Sequence, residues 1–142
     1  METKPAVELS ERVRAFLDQP LYPTLATAGT DGTPHQAVIW YRLDPDGRIL
    51  VNSRSPRRWP DELRTAGRAS LAFTDPGDAM RWVGAQVEVD QVVDDVATAQ
   101  DDICALAERY DEADEDSLAA FRSQPRISFY LRVIGIHDHL SD

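Results

Sequence analysis

The chain has 142 residues, a length typical of one domain with a sizeable core. Hydrophobic residues make up 42% and charged residues 28%, as in ordinary globular proteins, and no apolar run is long enough to span a membrane. The net charge of −10 argues against general nucleic-acid binding, and the absence of a secretory-signal pattern at the N-terminus leads us to expect a cytoplasmic location.

In the first half of the chain, apolar residues recur at helical spacing over residues 8–18, which predicts an amphipathic helix. Three β-rich runs follow, separated by turn sequences at residues 29–32 and 44–47. The predicted strands are residues 22–28, 36–43 and 48–53. Because both connections are short, we expect these strands to pair in succession as an antiparallel meander.

The second half predicts three strands and three helical segments. In chain order these are helix 57–66, strand 68–74, strand 80–93, helix 95–110, helical turn 118–121 and strand 126–137. The buried stripe of the 95–110 helix is predicted to be Val96, Ala99, Ile103, Leu106, Ala107 and Tyr110. The fold class is therefore predicted as α+β, a six-stranded antiparallel barrel with flanking helices in one domain over residues 1–142.

A basic turn at residues 52–58 (NSRSPRR) is the strongest local signal, because it follows a strand and leads into a helix. Unpaired N–H groups at a helix start favour an anion, and Ser53, Arg57 and Arg58 would add hydroxyl and guanidinium donors. Five arginines fall within residues 54–68 of an otherwise acidic chain. Two interpretations stay open from these residues: a phosphate site, or a solvated basic turn that starts a helix.

Other chemistry-bearing residues give weaker signals. The three tryptophans, Trp40, Trp59 and Trp82, are placed to wall a flat ring site or simply to pack in the core. The single cysteine, Cys104, is expected to be a buried hydrophobic residue, and the three histidines are too few and too scattered to predict a metal site. No nucleophile motif or P-loop is present, which favours a protein whose cofactor supplies the chemistry.

Residues 25–76 (LATAGTDGTPHQAVIWYRLDPDGRILVNSRSPRRWPDELRTAGRASLAFTDP) carry an ordered set of patterns: P-H-x-x-x-x-W, then D-G-x-I-x-V-N-S, a basic turn, and L-R-x-x-x-R-A-S-L. This set resembles the pyridoxamine 5′-phosphate oxidase-like superfamily of FMN-binding split barrels. Within it, the chain is similar to the flavin/deazaflavin oxidoreductases, many of which use coenzyme F-420. The resemblance covers residues 9–138 and implies a split barrel.

The resemblance also implies site residues and partners. The 36–39 run would lie along the flavin or deazaflavin ring, the basic turn would hold the phosphate, and Trp82 would approach the ring from a facing strand. The implied cofactor-binding residues are Gln36, Ala37, Val38, Ile39, Ser53, Arg54, Arg57, Arg58, Trp59 and Trp82. A homodimer is implied, with cofactor sites at its interface and a small-molecule acceptor, and without nucleic-acid or membrane partners.

Two positions depart from the family pattern. Many relatives have a lysine where this chain has Trp59, and close relatives often have an acidic residue and glycine at Gln86-Val87. The chain also lacks the C-terminal extension of true pyridoxamine phosphate oxidases, so vitamin B6 oxidation is not expected. The leading expectation is hydride transfer from reduced F-420 to a small or planar acceptor; the alternatives are an FMN oxidoreductase, a non-catalytic flavin-binding protein and a barrel without cofactor. The candidate proton donors are His35 and Tyr41.

Overall fold

The computed structural model describes residues 3–140. Four helices and seven strands are formed within this range. In chain order they are α1 (Glu11–Leu17), β1 (Thr24–Ala28), β2 (Pro34–Val38), β3 (Arg42–Leu43), β4 (Ile49–Arg54), α2 (Arg58–Ala66), β5 (Arg68–Asp75), β6 (Asp78–Val93), α3 (Val96–Arg109), α4 (Glu115–Arg122) and β7 (Arg126–His139). The α+β class is confirmed, and none of the described helices is long and apolar enough to cross a membrane.

The sheet has seven antiparallel strands in the order β2-β1-β5-β6-β7-β4-β3, with β2 and β3 at its two ends. The prediction of a six-stranded barrel is therefore corrected to seven strands in an open sheet. The extra strand arises because the predicted strand 36–43 is divided: β2 ends at Val38 and β3 begins at Arg42. This division leaves one edge of β2 without a ladder partner among the described residues.

The predicted meander is also wrong, because β2 pairs only with β1 while β3 pairs with β4 at the far end of the sheet. The residues between β2 and β3 are held by the segment after α1. Ile39 donates its N–H to the carbonyl oxygen of Pro23, and the buried Tyr41 hydroxyl lies 2.6 Å from the carbonyl oxygen of Leu17 and 2.7 Å from that of Gln19. The chain thus crosses from one end of the sheet to the other.

The main hydrophobic core joins residues of the sheet with residues of α1 and α2, and most predicted buried positions are confirmed. Cys104 is buried and unpaired, as expected. One member of the predicted α3 stripe is wrong: Val96 is 44% exposed. It is the first residue after the N-cap Asp95, whose side chain accepts from the Thr98 N–H, and the buried residues of the helix begin at Ala99.

Candidate functional site

A groove of about 320 Å³ runs between the unpaired edge of β2 and the start of α2. The β2 side is formed by residues 35–38, and the α2 side by Arg57, Arg58 and Trp59. The fold therefore brings the sequence-predicted ring segment and the basic turn together. An edge strand directs alternate backbone N–H and C=O groups outward, so the groove offers backbone hydrogen bonds on one side and positive charge on the other.

The α2 end of this groove is built to attract an anion. The N-cap residue, Arg57, makes no side-chain capping hydrogen bond, so the first-turn N–H groups of Arg58 and Trp59 are not satisfied by a cap. Both arginine side chains lie on the exposed turn, and within residues 3–140 neither forms an ion pair. Helix dipole and guanidinium charge act in the same direction here.

A second cavity, of about 230 Å³, adjoins the groove and shares Val38 and Arg57 with it. The segment after β2 contributes Ile39 and Trp40, and the opposite wall carries Asn52 and Arg126. The cationic end of the groove, at Arg57 and Arg58, thus adjoins a cavity that is bordered by Val38 and Ile39 of the predicted ring-binding run 36–39. We refer to these two spaces below as the groove and the cavity.

Arg126, at the start of β7, is the most unusual group in the cavity, because a guanidinium is only 6% exposed there. Its Nε donates to Asn52 Oδ1 at 2.9 Å and its NH1 nitrogen donates to Gln124 Oε1 at 2.7 Å, so both acceptors are neutral amides. Burial, together with the nearby positive charges of Arg57 and Arg54, lowers the pKa of Arg126 to about 10. The group stays protonated at neutral pH.

The Asn52 side chain is fixed from both sides. Its Nδ2 donates to the carbonyl oxygen of Ala99 at 2.8 Å and to Ser128 Oγ at 2.7 Å, which orients its Oδ1 toward Arg126. Sequence reasoning missed Arg126 as a site residue, because only the β4–β7 pairing, with Arg54 opposite Arg126, brings it beside the basic turn.

Aromatic side chains close the cavity on its helical side. Trp40 stacks on Tyr110 with ring centroids 5.1 Å apart and an interplanar angle of 9°, and it meets Phe121 of α4 edge-on at 6.3 Å. Trp59 instead belongs to the core, where its ring packs against Phe129 at 6.3 Å. Of the tryptophans, Trp40 is therefore the one whose side chain walls the candidate ring site, while Trp59 borders the groove from the core.

Three predicted site residues, Ser53, Arg54 and Trp82, line neither the groove nor the cavity. Ser53 is fully buried, its Oγ has no described hydrogen-bond partner, and it neighbours Asn52 on a strand whose successive side chains point to opposite faces. Trp82 stacks with His137 and His139 at 5.2 and 4.8 Å, and lines a separate depression of about 520 Å³ on the sheet face that Gln36 also borders. Cofactor contacts by Ser53, Arg54 and Trp82 stay predictions, as do those by the residues that line the groove and the cavity.

The structure separates the two candidate proton donors. The Tyr41 hydroxyl is buried against backbone carbonyl oxygens, and this burial raises its pKa. His35 borders the groove, and its Nδ1 lies 2.9 Å from Glu62 Oε2, while Thr27 donates its hydroxyl to Glu62 Oε1 at 2.8 Å. A carboxylate on Nδ1 fixes the imidazole and leaves Nε2 as its free nitrogen, so His35 is the group of the two that can exchange a proton with a ligand.

The donor set fits a phosphate-bearing ring cofactor. An uncapped helix start and two exposed guanidiniums suit the phosphate, and the aromatic-walled cavity beside Val38 suits the ring. Within residues 3–140, no cluster of three or more His, Cys, Asp or Glu side chains is arranged to hold a metal ion. Fold and site together define an α+β protein with a cationic groove and an adjoining aromatic-walled cavity at the β2 end of its antiparallel sheet.

The chain belongs to the pyridoxamine 5′-phosphate oxidase family, whose model matches residues 9–137. This family binds flavins and includes oxidoreductases. No protein of curated function matches the sequence significantly.

Solved structures with the same fold have different names. An F-420 reductase superposes with a TM-score of 0.76 at 22% identity, covering 91% of this chain and 98% of that one. The heme storage protein HutZ from Vibrio cholerae gives 0.69 at 17% identity, covering 93% and 95%. A putative pyridoxamine 5′-phosphate oxidase from Listeria innocua gives 0.67 at 14% identity, covering 94% and 100%. These similarities establish the fold.

Proposed function

We propose that the protein is an oxidoreductase that transfers hydride from reduced coenzyme F-420 to a small or planar organic acceptor. The observation that carries this proposal is the groove itself, where an uncapped helix start and arginines without acidic partners among the described residues border β2. Family membership supports a flavin-type cofactor, and the fold shared with an F-420 reductase supports the deazaflavin.

The residues of the groove would hold the cofactor phosphate. Arg57 and Arg58 would donate bidentate hydrogen bonds together with the first-turn N–H groups of α2, with Arg54 adding charge from the end of β4. Ser53 would join them only if its buried hydroxyl becomes accessible. These arginines would compensate for the lysine that the family resemblance leads us to expect at the position of Trp59.

The ring would lie along residues 36–39 and extend into the cavity. When bound in its reduced form, the cofactor supplies the hydride. The protein's own share is to orient the ring on the β2 edge, to exclude water with Trp40, and to hold a proton at His35 Nε2 for the acceptor. Glu62 is the positioning residue for that imidazole, since it contacts Nδ1 and is itself fixed by Thr27.

We favour F-420 over FMN because F-420 carries a polyanionic tail beyond its phosphate, and further arginines outside the groove would bind that tail. Beyond the groove, α2 and the start of β5 carry Arg64 and Arg68, so arginines continue along one segment of an acidic chain. Arg64 is engaged by Asp94, whereas Arg68 forms no ion pair among the described residues. FMN as cofactor, with the same phosphate residues, is the alternative.

We also propose that the protein is a homodimer with the cofactor at its interface. The sheet face around Trp82 is exposed and built largely of small residues, such as Ala26, Ser70 and Gly84, which allow a second sheet to approach closely. Val38, beside the groove, is 68% exposed, although it is a large apolar residue. A partner packed on this face would cover Val38 and bring its own residues to the groove.

Tryptophan fluorescence titration tests the cofactor proposal. Quenching by F-420 at micromolar concentration, with weaker or no quenching by FMN, supports F-420. A yellow purified protein with flavin absorbance supports FMN instead. Sedimentation with and without cofactor tests the dimer, which is excluded if the loaded protein remains a monomer.

A further inference from the structure

Arginine charge is distributed unevenly over the molecule. Among the residues that the structure describes, seven of the fourteen arginines form ion pairs with Asp or Glu: Arg12, Arg42, Arg48, Arg64, Arg81, Arg122 and Arg132. Both arginines that border the cavity, Arg57 and Arg126, have no acidic partner within residues 3–140. The cavity therefore carries positive charge that the described fold does not neutralise.

Burial makes this imbalance significant. A buried charge is ordinarily compensated by an opposite charge, because moving an ion from water into the protein interior costs on the order of several kcal/mol. Asn52 and Gln124 accept hydrogen bonds from the Arg126 guanidinium. The ring centroid of Phe121 lies 5.5 Å from the guanidinium carbon. None of these groups carries negative charge. An anion in the cavity would supply the missing counter-charge.

The walls identify the kind of anion. Trp40 and Phe121 are aromatic, and Ile39 and Ile103 are aliphatic, so the space suits a flat and largely apolar group. The charged or titratable side chains that face it are Arg57 from the turn before α2, Arg126 from β7 and Tyr22 from the segment before β1. Since α3 and α4 contribute no charge to this lining, the two guanidiniums dominate its electrostatics.

We propose that the cavity binds the ring of the cofactor in its anionic, deprotonated form, with Arg57 and Arg126 as the counter-charge. The inference rests on the proposed function and assigns a role to Arg126 separate from phosphate binding. A delocalised ring anion matches both the flat apolar walls and the two cations. The electrostatic consequence is that the ring loses its proton more readily when bound than when free in solution.

The ionisation of the F-420 ring is visible in its absorbance spectrum, which gives a readout that does not depend on turnover. F-420 bound to the wild-type protein is titrated with acid and compared with free F-420. We expect the acid dissociation constant of the bound ring to be about tenfold larger, or more, as is usual beside an opposite charge. If only FMN binds, the same expectation is that reduced FMN, whose ring is deprotonated in mild alkali, binds about tenfold more tightly than oxidised FMN.

Variants separate the cavity from the groove. Arg126→Gln and Arg57→Gln should return the ring ionisation toward that of the free cofactor, and Arg126→Lys, which keeps the charge, should retain most of the shift. Arg57→Gln is in the exposed turn and keeps the test valid if the buried variant does not fold. Arg58→Gln is the matched control: it borders the groove and not the cavity, so it should weaken affinity without changing the ring ionisation.

Three results would overturn the inference. Unshifted ionisation in a tightly bound complex contradicts it while leaving the proposed function intact. An equal loss of the shift in Arg58→Gln contradicts the separate role of the cavity. Failure of both F-420 and FMN to bind rejects the proposed function together with the inference.

Discussion

Two sets of arginines illustrate how one residue type serves structure and ligand binding in the same chain. Arg132, near the middle of β7, contacts Glu88 at 2.8 Å and Asp90 at 2.7 Å, and Arg48, just before β4, contacts Asp90 at 3.0 Å. Arg57 and Arg126 border a cavity and have no such partners among the described residues. The first set stabilises the fold through ion pairs, and our proposal assigns the second set to an anionic ligand.

The largest expected effect is on cofactor affinity in the double variant Arg57→Ala, Arg58→Ala. Each substitution removes charged hydrogen bonds worth roughly 1.5–3 kcal/mol, so affinity should fall by at least about a hundredfold. Isothermal titration with F-420 or FMN measures the change. The control is Arg48→Ala, which removes an arginine that forms ion pairs with Asp46 and Asp90 and should leave cofactor affinity unchanged. Unchanged affinity in the double variant would place the phosphate elsewhere.

Substitution of an arginine that forms ion pairs should lower stability and leave cofactor affinity unchanged. Arg132→Gln removes the contacts to Glu88 and Asp90 and a hydrogen bond to the carbonyl oxygen of Lys4, all around a largely buried side chain. We expect the free energy of unfolding to drop by about 1–3 kcal/mol, because Glu88 loses its ion-pair partner and Asp90 keeps only Arg48. Cofactor affinity should not change. Chemical denaturation measures the stability of the variant, and a binding titration measures its cofactor affinity. A loss of affinity without a loss of stability would contradict the assignment of Arg132 to the structural arginines.

The smallest expected effect concerns Asp102, an acid close to the Asn52 network. It accepts from Ser128 Oγ at 2.8 Å and does not bond to Arg126, and burial raises its pKa above the ordinary value. Because the folded pKa is the higher one, this group favours folding in acid, and that contribution is lost as the pH rises through the folded pKa. Asp102→Asn should therefore gain stability at neutral pH, by less than about 1 kcal/mol, and show no gain in acid.

Denaturation midpoints of both proteins across the acid range test this expectation. Cofactor affinity should stay within about twofold of the wild type, because the carboxylate is not the counter-charge of Arg126. A large rise in affinity in Asp102→Asn would instead show that this carboxylate screens the cavity.

Local patterns were sufficient for most elements of the fold. Helical spacing predicted α1 and α3, and the Asp-Gly turns predicted the two hairpins. The break between β2 and β3 could not be predicted, because residues 39–41 are as β-rich as their neighbours. That segment leaves the sheet through tertiary contacts, namely the hydrogen bonds that Tyr41 makes to the segment after α1. The seventh strand and the strand order depend on this crossing.

The candidate site was likewise predictable only where its residues carry a local sequence signal. The basic turn and the 36–39 segment carry local signals, and the structure brings Gln36, Ala37 and Val38 against Arg57, Arg58 and Trp59. Arg126 and Glu62 carry no such signal. Arg126 joins the site through strand pairing with a residue 72 positions earlier, Arg54, and Glu62 reaches His35 from α2. Side chains recruited by long-range packing have no periodicity or motif in the sequence.

The central claim is that the cationic groove between β2 and α2 holds the phosphate of a flavin-type cofactor. Titration of the purified wild-type protein with F-420 and with FMN, followed by tryptophan fluorescence, tests this most directly, since Trp40 and Trp59 border the site. The account predicts saturable quenching at micromolar F-420 that inorganic phosphate competes away. Absence of binding by either cofactor at that concentration would contradict it.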